Sequence, residues 1–325
     1  MRALIHTRYG GPEVLELADL PRPTPGSREL LVRVHASTWN RTDSGFVAAK
    51  PWVVRFFSGL TKPKRIISGC VFAGEVVAVG SGTRKFQVRQ RVFGFDDNLH
   101  GGHGEYLVIP EDKMVAVIPD SVNYEQATAS VEGAHYALNY IQAAKIRAGQ
   151  TVFVNGATGA IGSAAVQLLK HLGVTVDATA GPAYLQTIRT LGVRQAVDYT
   201  RQDFTTLEEK YDVVFDAVGK SSYRAAKGLL KPGGVFTASE VGPRASNVSL
   251  ALWTKLFGGV GPEKHRVLFP LPRTSAANLR FLATLLATQE FRPLIDRTYA
   301  LEDAARAYAY VETGRKIGNV VVEIR

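Results

Sequence analysis

The apolar positions along this chain change period about a third of the way in. Up to about residue 120 they form short runs broken by Gly and Pro. Examples are Leu30-Leu31-Val32-Arg33-Val34, Val76-Val77-Ala78-Val79, Arg91-Val92-Phe93-Gly94-Phe95 and Glu105-Tyr106-Leu107-Val108-Ile109. Runs of that length between turn residues predict the strands of a compact β-barrel-like domain. Residues 48–60 read as an insertion, and its Pro51-Trp52-Val53-Val54-Arg55-Phe56-Phe57 is unusually aromatic. It either packs as a helix on the barrel or walls an apolar substrate cleft. From Tyr124 the period becomes helical, with Ala127, Val131, Ala134 and Leu138 on one face. Beyond Gly149, strands at 151–154, 174–180, 195–199, 212–216, 235–238 and 266–269 alternate with helices at 161–172, 184–191 and 221–230. That rhythm predicts an α/β fold with a doubly wound parallel sheet. A helix over 275–288 and a strand over 319–324 close the chain and should fold back on the first domain. The expected domains are 1–122 completed by 272–325, and 123–271.

The junction at Val154 carries the clearest chemical signal. Its strand has no polar alternation and reads as buried on both faces. It runs into Gly156-x-x-Gly159-x-x-Gly162, and Ile161, Ala165, Leu168 and Leu172 then recur at helical spacing. Glycines at a strand–helix turn allow close backbone approach, and the helix N-terminus offers N–H groups to a pyrophosphate. Gly156, Thr158, Gly159, Ala160 and Ile161 are therefore candidate cofactor contacts.

Composition narrows the classes. No window approaches a membrane span, and Met1-Arg2-Ala3-Leu4-Ile5-His6 has no signal-peptide core, so a cytoplasmic protein without membrane insertion is expected. The single cysteine, Cys70, excludes an internal disulfide and a multi-cysteine zinc site. The net charge of +10 favours anionic ligands such as a phosphorylated cofactor, or weak association with acidic surfaces. The cations are mostly scattered apart from Lys62-Pro63-Lys64-Arg65, and no nucleic-acid motif accompanies them.

Further motifs are Asn40-x-x-Asp43, Gly69-x-x-x-Ala73-Gly74-Glu75-Val76, Arg91-Val92-Phe93-Gly94, Gly102-His103-Gly104-Glu105-Tyr106, Asn155-Gly156-Ala157-Thr158-Gly159, Asp212 to Gly219, Leu230-Lys231-Pro232-Gly233-Gly234 and Gly318-Asn319-Val320-Val321. Together they resemble the medium-chain dehydrogenase/reductase superfamily, in its zinc-free quinone-oxidoreductase-like branch. The resemblance implies a GroES-like β-barrel domain plus a Rossmann domain, with the active site between them. It also implies a homodimer paired through the Rossmann sheet edge. Arg89-Gln90 stands where the family often has Gly-Asp, which alters a turn. Zinc-dependent relatives place cysteine near Asn40, histidine near Cys70 and a four-cysteine lobe after about residue 95, so neither zinc site is expected here.

The same resemblance assigns the remaining candidates. Asn40 is expected beside the nicotinamide, orienting substrate or cofactor, and Asn319 joins the cofactor contacts. Val218-Gly219 and Phe269-Pro270-Leu271 correspond to loops flanking the nicotinamide. Glu132, His135 and Tyr136 lie on the helix entering the cofactor domain, where Tyr136 could donate to an oxyanion and His135 deliver a proton. His100 and His103, among glycines, read as loop residues. Phe46, Trp52, Phe56 and Phe57 are pocket candidates by position. An NAD-preferring site ends its second strand with a carboxylate. Here Ala180-Gly181 stands there and Asp177 falls within the strand. Tyr199 matches a tyrosine that meets a 2′-phosphate, with Arg201 or Arg189 adding charge, so NADP(H) is the expected cofactor. The leading function is zinc-independent reduction of activated double bonds or quinones, the substrate being a small conjugated carbonyl compound or quinone. A metal-free alcohol dehydrogenase and a non-catalytic NADPH-binding protein remain as alternatives.

Overall fold

The computed structural model describes residues 1–97, 101–242 and 245–324. In chain order the first elements are β1 (Arg2–Ile5), β2 (Glu16–Asp19), β3 (Glu29–Trp39), α1 (Arg41–Ala48), α2 (Arg55–Ser58), β4 (Val71–Val79), β5 (Arg91–Phe95), β6 (Tyr106–Pro110), β7 (Met114–Val117) and α3 (Tyr124–Ala144). There follow β8 (Thr151–Asn155), α4 (Ala160–His171), β9 (Thr175–Ala180), α5 (Leu185–Leu191), β10 (Gln195–Asp198), β11 (Tyr211–Asp216), α6 (Tyr223–Ala226), β12 (Leu230–Ala238), α7 (Ser246–Phe257) and β13 (Arg266–Leu268). The chain closes with α8 (Ala276–Ala287), β14 (Ile295–Ala300), α9 (Ala304–Glu312) and β15 (Asn319–Glu323). Two compact units result, Met1–Glu132 with Thr274–Arg325, and Gly133–Arg273.

The first unit is built on β3. One edge pairs antiparallel with β4, while the other is divided between β6 at Glu29–Arg33 and β15 at Ala36–Trp39. Sharing one long strand among three partners bends the sheet around a core of Leu30, Val32, Val34, Phe72, Val76 and Val92. Trp39 is buried at the end of β3. Its ring stacks on Tyr308 of α9 at 5.3 Å and on His103 at 4.8 Å, and its indole N–H donates to Ser44 Oγ at 3.1 Å. His103 sits in a turn, as expected of a loop residue, and is buried there, its two ring nitrogens meeting Ser68 Oγ and the Thr38 carbonyl at 2.9 Å each. His100 lies outside the described residues.

The second unit is a six-stranded parallel sheet in the order β10-β9-β8-β11-β12-β13. The order reverses at β8, the switch point where α/β sheets bind ligands beyond the strand ends. Lys231-Pro232-Gly233-Gly234 lies inside β12 rather than ending a helix before it. Leu230 already pairs with Tyr211, and the register shifts before Val235 resumes opposite Val213. The segment expected as one helix over 221–230 is correspondingly a single turn, α6, followed by a short 3-10 helix.

Candidate functional site

In the second unit, β8 ends at Asn155 and α4 begins at Ala160, so the glycine turn spans the switch point. Two of its glycines are required by the chain itself. Gly156 has φ +87°, and a Cβ there would lie 1.7 Å from Val218 Cγ2. A Cβ on Gly162 would lie 2.1 Å from the Gly156 carbonyl oxygen. Gly159 is different. Its φ of −72° suits any residue, and the nearest atom to an added Cβ is 3.7 Å away. Nothing in the protein demands glycine there, yet it caps α4, whose first-turn N–H groups have no partners within the helix. An uncluttered backbone facing unpaired N–H groups suits a pyrophosphate. Thr158, Ala160 and Ile161, beside it, remain partly exposed.

A buried network fixes this turn, and its centre is absent from the sequence-derived candidates. Asp216, at the end of β11, accepts from Asn155 Nδ2 (3.0 Å) and from the backbone N–H groups of Val218 (3.2 Å), Gly219 (3.1 Å) and Ser221 (2.7 Å). Asn155 Oδ1 accepts from the Thr179 hydroxyl, whose oxygen in turn accepts the Gly156 N–H at 2.8 Å. One carboxylate therefore sets both the glycine turn and the Val218-Gly219 turn. The available signal was an acid terminating the apolar run Val213-Val214-Phe215.

At the end of β9 stand Ala180 and Gly181, with no carboxylate. A Cβ on Gly181 would lie 3.3 Å from the Tyr199 hydroxyl, so the structure brings these two candidates together. Tyr199 is otherwise exposed, and Arg201 pairs with Asp198 at 3.7 Å. Asp177 is committed elsewhere. It accepts from Arg194 Nε (2.9 Å), the Gln195 N–H (2.9 Å) and the Tyr211 hydroxyl (3.0 Å). Phe269 and Pro270 follow β13 and are partly exposed, and Leu271 is mostly exposed.

His135 and Tyr136 lie side by side on α3 with their rings edge to face at 5.2 Å. Burial lowers the His135 imidazole to about 4, so it is neutral at physiological pH.

In the first unit, Asn40 lies buried at the head of α1. Its Nδ2 donates to Glu132 Oε2 at 2.8 Å and to Asn319 Oδ1 at 3.1 Å, joining residues far apart in the chain. Asp43 accepts the backbone N–H groups of Asn40 (2.9 Å) and Cys70 (3.2 Å). Burial pushes the Asp43 carboxyl up to about 6. Burial and then the Asp43 charge push Glu132 up to about 7, against hydrogen bonds from Thr42 and Asn40. Lys316 falls to about 8 through burial, with Glu132 opposing the fall. Asp43, Glu132 and Lys316 thus act on one another's charge around Asn40.

Beside it lies a cavity of about 180 Å³ lined by Asp43, Phe46, Phe57, Ser68, Lys64 and Arg65 among others. That volume admits a single ring. Of the four aromatic candidates, Phe46 and Phe57 line it, while Trp52 and Phe56 are mostly exposed. Among the described residues, no group of three or more His, Cys, Asp or Glu side chains could hold a metal ion.

A parallel sheet with a glycine turn at its switch point, joined to a GroES-like unit, defines a nucleotide-dependent oxidoreductase. The comparisons refine that class. The family model for the alcohol dehydrogenase GroES-like domain matches residues 26–120, and that for zinc-binding dehydrogenases matches residues 191–322. A quinone oxidoreductase of Pseudomonas aeruginosa is 30% identical, with 97% of each chain covered. A chloroplastic NADPH-dependent alkenal/one oxidoreductase of Arabidopsis thaliana is 28% identical over 99% of this chain and 79% of its own. The solved quinone oxidoreductase of Coxiella burnetii superposes with a TM-score of 0.87 at 24% identity, covering 100% of this chain and 99% of its own. The chain belongs to the medium-chain dehydrogenase/reductase superfamily, in its quinone-oxidoreductase-like branch.

Proposed function

We propose that the chain is an NADPH-dependent, zinc-independent reductase of quinones and of double bonds conjugated to a carbonyl. The observation that carries the reading is Gly159, a glycine the fold does not need, at the head of α4. The strand end Ala180-Gly181 beside Tyr199 supports NADPH, since it offers room and a hydroxyl where an NAD site presents a carboxylate. Gly156, Thr158, Gly159, Ala160 and Ile161 would hold the pyrophosphate, and Val218-Gly219 with Phe269-Pro270-Leu271 would flank the nicotinamide. The relatives named for alkenal/one and quinone reduction support the reaction class.

When bound, the cofactor supplies a hydride. The chain must then orient the acceptor and provide a proton. A conjugated acceptor spreads its developing charge onto a distant oxygen, so hydrogen-bond donors suffice where a saturated alcohol would need a Lewis acid. The donor set favours this. The Asn40 amide is held by Glu132 and Asn319. Asn40 is a positioning residue in this reading. Glu132, raised to about 7, retains a proton over much of the neutral range, and Tyr136 contributes a hydroxyl donor. Phe46 and Phe57 give the cavity an apolar wall suited to a flat ring. A homodimer is part of the proposal, supported by the edge position of β13 and by Leu252, Trp253, Leu256 and Phe257 exposed on neighbouring α7.

NADPH oxidation with a panel of enones, quinones and alcohols, with and without chelator, tests the reading. Enones or quinones should be turned over with NADPH preferred and chelator without effect. An alcohol oxidised faster than any enone or quinone is reduced, or activity lost on chelation and restored by zinc, would refute it.

A further inference from the structure

We infer that the segment from Lys50 to Ile66 docks the protein on an anionic membrane surface. A 3-10 turn over Trp52–Val54 continues into α2 and turns its apolar side chains outward. Trp52 is 62% exposed, Phe56 57%, Phe57 75% and Leu60 59%. Trp52 and Phe56 pack edge to face at 5.0 Å, which makes one continuous apolar tip. Apolar tips of this size mark interaction surfaces.

Along the segment itself the charge is of one sign, the acids nearest in space being Asp43 and Asp97, which line the cavity with Lys64 and Arg65. Between Asp43 and Glu75 the sequence holds no acid and five cations, Lys50, Arg55, Lys62, Lys64 and Arg65. Among the described residues no salt bridge includes any of these five. The base of the segment is clamped. The Tyr9 hydroxyl donates to the Gly59 carbonyl at 2.6 Å, and the Arg55 guanidinium lies 4.9 Å over the Tyr9 ring. The Lys64 N–H donates to Ser58 and the His6 N–H to Ile66, both at 2.8 Å. The exposed rings therefore stand on a fixed loop.

Charge complementarity selects the occupant. A second copy seated on this face in a two-fold interface would oppose the same cations to themselves. An anionic lipid surface answers both features at once: phosphates meet the cations, and Trp and Phe rings settle at the headgroup boundary. Docking would be peripheral, since no described helix is long and apolar enough to cross a membrane. Phe57 belongs both to the tip and to the cavity wall, so a docked chain would open that cavity beside the lipid. The inference rests on the surface and not on the reaction proposed above.

Sedimentation with vesicles of one part phosphatidylglycerol to two parts phosphatidylcholine, against phosphatidylcholine alone, tests it without any activity readout. The protein should sediment with the anionic vesicles only and be released in about 0.5 M salt. Lys50→Gln with Lys62→Gln should lower partitioning roughly fivefold per charge removed. Trp52→Ser with Phe56→Ser should weaken it comparably. In a Trp253→Phe background, with Trp39 buried, a blue shift of emission on vesicle addition would report Trp52 entering the lipid. Absence of sedimentation, or equal sedimentation with neutral vesicles and with both double variants, would overturn the inference. So would a halving of molecular mass in solution caused by the aromatic substitutions, which would make a second copy the occupant.

Discussion

Replacing Glu132 by Gln isolates the energetic cost of the ionisable cluster around Asn40. Burial, and then the Asp43 charge, raise the Glu132 carboxyl from 4.5 to about 7. The unfolded chain gives up this proton near the lower value and the folded chain near the upper one. Folding therefore incurs no penalty from this group below about pH 4.5. The penalty grows through the interval and is complete above about pH 7. A separation of about 2.5 pH units at about 1.4 kcal/mol each gives roughly 3 kcal/mol at pH 7.5, against about 1 kcal/mol at pH 5. The substituted amide removes the titration while keeping an acceptor for Asn40 Nδ2. Lys316 takes back part of the gain, because Glu132 supports its charge. That support acts only where Glu132 is ionised, and it is already contained in the value of about 7, which the Lys316 charge helps to lower. Urea denaturation of both proteins at pH 5 and 7.5, followed through Trp39 emission, should show the advantage of the Glu132→Gln variant growing by about 2 kcal/mol between them. An advantage that is independent of pH, or a variant less stable at pH 7.5, would refute the assignment of an elevated Glu132.

Gly159→Asp should lower NADPH affinity at least a hundredfold by calorimetry, since a carboxylate would face the pyrophosphate. The apoprotein should keep its stability or gain a few tenths of a kcal/mol, because Asp is a favourable helix cap. Asp216→Ala leaves Asn155 Nδ2 and three backbone N–H groups without their acceptor. It should cost about 3 kcal/mol or more in denaturant titrations. Tyr199→Ala, at an exposed position, should leave stability unchanged and narrow the ratio of NADPH to NADH affinity. An unchanged ratio would remove Tyr199 from the phosphate site.

The parts of this molecule legible in its sequence are those encoded locally. The apolar run 151–154, the glycine spacing and the helical repeat after it lie within about twenty residues, so strand, turn and helix followed directly, and the alternation downstream gave the parallel sheet. β14 and α9 escaped notice. β14 lies at a sheet edge with Asp296, Arg297 and Thr298 in its span, so it lacks the apolar signature of a buried strand. The Asn40 cluster depends on pairings across 92 and 279 residues, which no local pattern encodes. The aromatic segment around Trp52 left two readings open for a related reason. Its composition fits a pocket wall as well as an outward tip, and only the clamp at Tyr9, Ser58 and Gly59 decides which way the rings point.

The shared strand β3 has a consequence for biosynthesis. Its edge beyond Ala36 is completed by β15, which lies far later in the chain, so this sheet cannot close on a nascent chain until β15 has been made. The segment Gly133–Arg273 contains its whole sheet within itself and can reach its native pairing while β15 is still inside the ribosome. The usual order, in which the N-terminal domain folds first during synthesis, is thereby inverted. Throughout that interval β3 keeps an open edge at Ala36–Trp39, and the nascent chain's demand for chaperones should fall on β3 rather than on the parallel sheet.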